Sequence, residues 1–321
     1  MEFRHPQPGY LLPLKWTDDA GLEELAKYLE QLCAHLRVLV VDGSDEERYA
    51  AHAQAFPAAV RHCRPQHPEC RNGKVSGVLT GVDMAETEIL IIADDDVRYT
   101  LPQLERIHTL LGDADVVRPQ NYFPSPMPWH ARWDTGRTLL NRAFGADYPG
   151  TLAVRTAVLR RTGGYSGDAL FENLELLRTV RAAGGREVRA NDLFIARIPA
   201  STRHFLRQRV RQAYDDMAQP LRLAAELSLL PALVWGARRP RRLIALAAAA
   251  MGTAEYGRRR DGGRQVFGPT SALWAPLWLV ERALGVWVAV HWRLRGGVPY
   301  SGTRLKIAAH SVRWIRRSLG D

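Results

Sequence analysis

The sequence predicts an α/β fold, a mainly parallel sheet covered by helices, followed by a basic helical region. Three observations predict it. Short apolar runs alternate with stretches of helical periodicity, the pattern of βαβ units. Two of those runs end in aspartate, at Asp42 and at Asp94-Asp95-Asp96. The charge then reverses along the chain. Of a formal net +10 over 321 residues, residues 203–321 carry 21 Arg and Lys against 7 Asp and Glu, whereas residues 1–202 carry 23 against 27.

Taken in order, Tyr10 to Trp16 reads as a first strand, with Pro13 marking an edge or a bulge. Asp18 or Asp19 can cap a helix in which Leu22, Leu25, Ala26, Leu29 and Leu32 repeat at helical spacing. Arg37 to Val41 is the next strand, a second helix runs to about Ala55, and a short strand lies near Val60. The segment His62-Cys63 to His67 and Cys70 fits no regular zinc spacing and reads as a surface loop. A helix starts near Gly73-Lys74, followed by the strand Ile89–Ala93. Five apolar residues without polar alternation mark that strand as buried on both faces. Pro102 to Leu111 reads as a helix, Asp115 to Pro119 as a strand and Gln120 to Pro128 as a loop. Trp129 to Phe144 is a longer helix, and Leu152 to Val154 a strand. A helix from Phe171-Glu172 stops at Gly184-Gly185, and Phe205 to Tyr214 is a further helix with Gln208 and Arg211 on one face.

Three crowded carboxylates at a strand end need a cation or hydrogen-bond donors to share their charge. In open α/β sheets that position faces the ligand crevice. A carboxylate-only cluster suits a hard cation, Mg²⁺ or Mn²⁺, that offsets charge growing on a leaving diphosphate. Lys74, at a helix start near the same rim, adds a positive charge.

In this setting Val41-Asp42-Gly43-Ser44, Gly73-Lys74 leading to Gly81, Asp94-Asp95-Asp96, Gly163-Gly164-Tyr165, Glu172-Asn173 with Glu175-Leu176, and Gln208-Arg-Val-Arg211 occur in order. The set resembles family-2 glycosyltransferases over roughly residues 10–215, with a likeness to the ceramide-glucosyltransferase-like members. The resemblance implies a GT-A fold and inverting transfer from a UDP-sugar to an acceptor hydroxyl. It implies that Asp42 meets the uracil and that Asp95 and Asp96 stand at the diphosphate and metal. From their place at the rim, Lys74 and Asp94 are expected to join the donor pocket, with Asp96, the outer residue, as the direct metal ligand and Asp94 beside it anchoring the turn. The resemblance places Gln208 and Arg211 on a helix closing over the donor or the acceptor end. Two positions depart from the family pattern. Its usual base, an Asp, is replaced by Asn173, which moves the expected base to Glu172. The Trp of its Gln-x-x-Arg-Trp motif is replaced by Gln212.

Residues 1–219 are therefore expected to form the catalytic domain and residues 220–321 a basic, Trp-rich, membrane-associated helical region. Six of nine tryptophans fall there. Of its three apolar stretches, Leu221–Trp235 is interrupted by charge and Pro231, Leu243–Ala254 is short for a span, and Ser271–Trp292 holds Glu281-Arg282 at its middle. Arginine clusters between the stretches oppose simple spanning and favour interfacial or re-entrant helices on anionic lipid, with true spans as the alternative. The start, Met1 to Pro6, lacks the apolar core of a secretion signal, which predicts the cytoplasmic side of the cell membrane. The expected partners are a UDP-sugar, a lipid or glycan acceptor and the membrane surface, without nucleic acid. The alternatives are a catalytically weakened nucleotide-sugar-binding scaffold, motivated by Asn173, a nucleic-acid binder using the arginine-rich tail, opposed because the arginines flank apolar stretches, and a nucleotidyltransferase, opposed by the lack of a Gly-rich triphosphate loop.

Overall fold

The computed structural model describes residues 8–300 and 302–320; Met1 to Pro6, read above for a leader, lie outside them. The first elements are β1 (Gly9–Leu14), α1 (Leu22–Cys33), β2 (Arg37–Asp42), α2 (Glu46–Ala55), β3 (Arg61–Cys63), α3 (Gly73–Met84) and β4 (Ile89–Ala93). Next come β5 (Val97–Arg98), α4 (Leu101–Leu110), β6 (Val116–Tyr122), α5 (Trp129–Ala143), β7 (Thr151–Arg155), α6 (Thr156–Arg161), α7 (Glu172–Ala182) and β8 (Glu187–Arg197). The remainder is α8 (Thr202–Tyr214), α9 (Pro220–Ala237), α10 (Pro240–Arg259), α11 (Ala275–Leu294), a hairpin of β9 (Val298–Tyr300) and β10 (Thr303–Leu305), and α12 (Val312–Ser318).

The chain forms two compact units. The first comprises the residues up to Arg118, Pro149–Arg189 and the segment from His310 onward; the second comprises Pro119–Tyr148 and Ala190–Ala309. These boundaries do not coincide with the division expected after residue 219.

In the first unit, neighbouring strands follow the order β3-β2-β1-β4-β7-β6. β1 pairs in parallel with β2 on one side and with β4 on the other, and β2 pairs in parallel with β3. β7 runs antiparallel to both β4 and β6, so the sheet is mixed where mainly parallel strands were expected. The reason is local. The Asp94 amide donates to the Gly150 carbonyl at 2.8 Å, so β7 starts at the rim where β4 ends and must run back along it. The sheet core is apolar, with Leu11, Val40, Ile91, Val116 and Ala153 fully buried. Gly81 lets α3 approach β1, since a Cβ there would lie 2.3 Å from Leu11 Cδ1. α1 starts at Gly21 without a side-chain cap. Asp19, expected to cap it, instead accepts from His52 Nε2 at 3.2 Å. The tail returns to this unit: Glu175 of α7 accepts from the His310 amide at 2.7 Å and pairs with its ring at 2.8 Å.

The second unit is mainly helical. α5 crosses α10 at Gly257, where a Cβ would lie 1.9 Å from the Leu139 carbonyl oxygen. Ser271–Leu294 is long and apolar enough to cross a membrane, with a mean hydropathy of 1.4. Its central charges are paired inside the unit. Glu281 binds Arg209 at 3.0 Å and Arg282 binds Asp216 at 3.0 Å. The charge that argued against a span is thus compensated by tertiary partners, and Arg209 also reaches Asp134 at 3.1 Å.

Candidate active site

The order β3-β2-β1-β4 makes β1 the strand from which the chain winds outward in both directions, and ligands of open α/β sheets bind outside the carboxyl ends of strands at such a switch point. β2 ends there in Asp42 and β4 runs directly into Asp94-Asp95-Asp96. Trp16, just beyond β1, connects the two. Its amide donates to Ser44 Oγ at 2.9 Å, and its indole N–H donates to Asp95 Oδ2. The sequence marks Trp16 only as the end of a strand, without a role in the site.

Asp42 is fully buried. Its Oδ1 accepts from the Ser44 amide at 2.9 Å, while Oδ2 faces His52 Nδ1 at 2.6 Å and His62 Nε2 at 3.1 Å. Burial pushes its carboxyl up, but the bonds from His62, Ser44 and His52 outweigh that and hold it well below the usual carboxylate range. Asp42 as it stands ties β2, α2 and β3 together at the rim, and a direct bond to a base ring requires this network to open. His62 turns toward Asp42, and His67 toward Glu69 and Asp83, each at 2.8 Å.

Lys74, Asp94 and Glu172 are brought together. The Lys74 ammonium lies 2.5 Å from Asp94 Oδ1 and 2.7 Å from Glu172 Oε1. The juxtaposition is built by Asn72. Its Oδ1 caps α3 by accepting from the Lys74 amide at 3.1 Å, its Nδ2 donates to the Ala169 carbonyl at 2.9 Å, and its amide donates to Gly167 at 2.8 Å. These bonds fix the start of α3 beside the loop that leads into α7, where Glu172 is the first residue. Burial disfavours the Lys74 ammonium, but Asp94 and Glu172 outweigh it and hold its pKa well above the ordinary lysine value. Asn173 is buried and donates its side-chain amide to the Pro149 carbonyl at 2.9 Å, so it has no proton-accepting role.

Asp96 ends the acidic run at partial exposure. Among the described residues no group of three or more His, Cys, Asp or Glu side chains forms a protein cage for a metal. The donor set nevertheless fits Mg²⁺ or Mn²⁺ in the mode where one or two carboxylates share the ion with substrate phosphates and water. Gln208 and Arg211 lie on α8 of the second unit. Gln208 is paired with His204, and the Arg211 guanidinium lies 4.8 Å above the Tyr300 ring.

The sequence model of Glycosyl transferase family 2 matches residues 21–165, a segment that includes Asp42, Lys74 and the Asp94–Asp96 run. The chain is a glycosyltransferase. Among solved structures, a mannosyltransferase from Pyrobaculum calidifontis, determined with GDP-Man and Mn²⁺, is similar at a TM-score of 0.52 and 18% identity, with 88% of each chain covered. Glucosyl-3-phosphoglycerate synthase from Mycobacterium tuberculosis, determined with Mn²⁺, UDP and phosphoglyceric acid, aligns over 62% of this chain and 73% of its own. Its identity is 16% and its TM-score 0.42. No curated protein sequence matches the chain. The fold of this glycosyltransferase is therefore GT-A, with a mixed sheet and a C-terminal helical region.

Proposed function

We propose that this glycosyltransferase moves a sugar from a nucleotide-sugar, a UDP-sugar, to an acceptor hydroxyl with inversion and with help from a divalent cation. The observation that carries the reading is the cluster at the β4 end, where Lys74 stands between Asp94 and Glu172 beside the remaining strand-end carboxylates. A diphosphate needs positive charge where its bond to the sugar breaks. Lys74 supplies a permanent one. Asp94 and Asp96 would hold Mg²⁺ or Mn²⁺, which supplies the rest of the charge compensation when bound. Asp95, fixed by Trp16, orients the turn between them.

Glu172 is the proposed base. It is the carboxylate that α7 presents at its N-terminus, and its neighbour Asn173 cannot accept a proton. In the described state Glu172 is bound to Lys74. A donor phosphate that draws the ammonium toward itself releases the Glu172 oxygen to take the acceptor proton, which couples base activation to donor binding. Gln208 and Arg211 are proposed donor contacts on the family resemblance alone. A lipid or lipid-linked acceptor at the cytoplasmic membrane face is supported by the apolar, arginine-flanked helices of the second unit alone. The test is turnover of Glu172→Gln beside Asp96→Asn, over several UDP-sugars and one GDP-sugar. Near wild-type rates for Glu172→Gln would remove Glu172 as the base, and preference for the GDP-sugar would replace the proposed donor.

A further inference from the structure

The corner where α9 meets α10 carries a combination of surfaces that neither water nor the rest of the unit satisfies. Arg238 and Arg239 join the helices, and Arg241 and Arg242 open α10. On either side of them Val234, Trp235, Leu243 and Ile244 are exposed, Ile244 to 68%. The corner is held in shape. Gly236 lets the helices close on each other, since a Cβ there would meet Leu243 Cδ2 at 3.0 Å and Leu246 Cδ1 at 3.1 Å. Arg242 places its guanidinium 3.9 Å over the Trp235 ring and donates to the Trp235 carbonyl at 3.4 Å. No acidic residue occurs between Glu226 and Glu255, and Glu226 is buried. The four arginines therefore have no carboxylate close in sequence to neutralise them.

A partner for this corner must offer negative charge at one level and apolar matter directly beneath it. A second copy of the chain brings four arginines against four arginines. A nucleic acid answers the arginines but leaves Val234, Leu243 and Ile244 wet. An anionic phospholipid surface answers both requirements, with headgroups at the guanidinium level, acyl chains below, and Trp235 at the boundary between them. We propose that the α9–α10 corner docks the second unit onto an anionic phospholipid bilayer, inserting Trp235 and Ile244 while Arg238, Arg239 and Arg241 bind headgroups. The inference deepens the membrane-face reading above and rests on it for its purpose, while its test needs no catalysis.

The test is co-sedimentation of the full chain with vesicles of phosphatidylcholine alone and with vesicles that also contain phosphatidylglycerol. Binding is expected only to the anionic vesicles and is lost at high salt. Arg238→Gln with Arg241→Gln is expected to lower partitioning about 30-fold, about fivefold for each arginine near the surface. Trp235→Ser with Ile244→Ser is expected to abolish binding at any anionic-lipid content. Equal binding to neutral vesicles, unchanged binding of the arginine variant, or salt-sensitive retention on single-stranded DNA without vesicle binding would each overturn the proposal. So would a dimer of the free protein that dissociates on Ile244→Ser. Hydrolysis of the donor in detergent-free buffer, unchanged in both variants, verifies that they are folded. Absence of hydrolysis in the wild type contradicts the catalytic reading and leaves the docking result standing.

Discussion

Replacing Lys74 by Met keeps the length of the side chain and removes its charge, which isolates the electrostatic role assigned to it. The ammonium contacts two carboxylates, at 2.5 and 2.7 Å, and the three side chains are 19%, 25% and 17% exposed. An exposed ion pair contributes about 0–1 kcal/mol, and breaking a buried one costs roughly 3–5 kcal/mol because an uncompensated charge remains. At these exposures water reaches part of the cluster, so we expect a loss of about 2–3 kcal/mol. The pH dependence is set by the direction of the Lys74 shift. Its folded pKa is raised above the unfolded one, so its contribution is complete below the ordinary lysine value and is lost only as the pH rises through the folded value. Between about pH 5 and 9 the wild-type contribution is thus constant. In Lys74→Met the two carboxylates are left without their shared cation, a deficit that urea denaturation followed by tryptophan fluorescence measures at neutral pH. Donor hydrolysis should fall about 100-fold in the same variant, the size typical of removing one preorganised charge from a reacting centre. A variant within about 0.5 kcal/mol of wild type at neutral pH would refute the electrostatic role of Lys74.

Other perturbations test the rest of the structure. Asp42→Asn should cost about 2–4 kcal/mol at neutral pH, because His52 and His62 lose a buried anionic partner. The Asp42 pKa is depressed on folding, so its contribution is present above the ordinary aspartate value and is lost as the pH falls through the folded value. The stability difference between the two proteins should therefore narrow only well into acid, as a pH series of denaturation curves would show. Glu226 behaves in the opposite sense. Burial pushes its pKa up to about 8. Wild-type stability should decline between the ordinary glutamate value and about pH 8, and Glu226→Gln should remove that decline and be the more stable protein at about pH 9. Gly257→Ala should lower stability by about 3 kcal/mol in thermal or urea denaturation, since its methyl would overlap the backbone of α5.

Much of the site was legible because it lies at strand ends. The apolar runs Arg37–Val41 and Ile89–Ala93 show where two strands leave the sheet, and each gives way at once to aspartate. The position of Lys74 at the start of α3 was equally plain. The illegible part depends on contacts remote in sequence. The ion pairs of Lys74 with Asp94 and Glu172 need Asn72 to bond the Ala169 carbonyl, and nothing in the spacing of these residues announces that bond. His52 and His62 flank Asp42 from α2 and β3. The sole sign of His52's role is that it is the one buried residue of α2. β8 escapes a reading by pattern because Arg189, Asn191 and Asp192 break its apolar alternation, although Leu193 and Ile195 are buried at strand spacing. The direction of β7 is set by the bond from the Asp94 amide to the Gly150 carbonyl, which residue type does not encode. Glu281 and Arg282, read as obstacles to insertion, have their partners Arg209 and Asp216 on other elements.

The most direct test of the central claim is hydrolysis of a nucleotide-sugar with and without Mn²⁺, wild type beside Asp96→Asn. Slow, cation-dependent release of the nucleoside diphosphate from a UDP-sugar is expected, abolished by chelation and reduced at least about 100-fold by Asp96→Asn. Hydrolysis that is indifferent to chelator and to Asp96→Asn would contradict the claim.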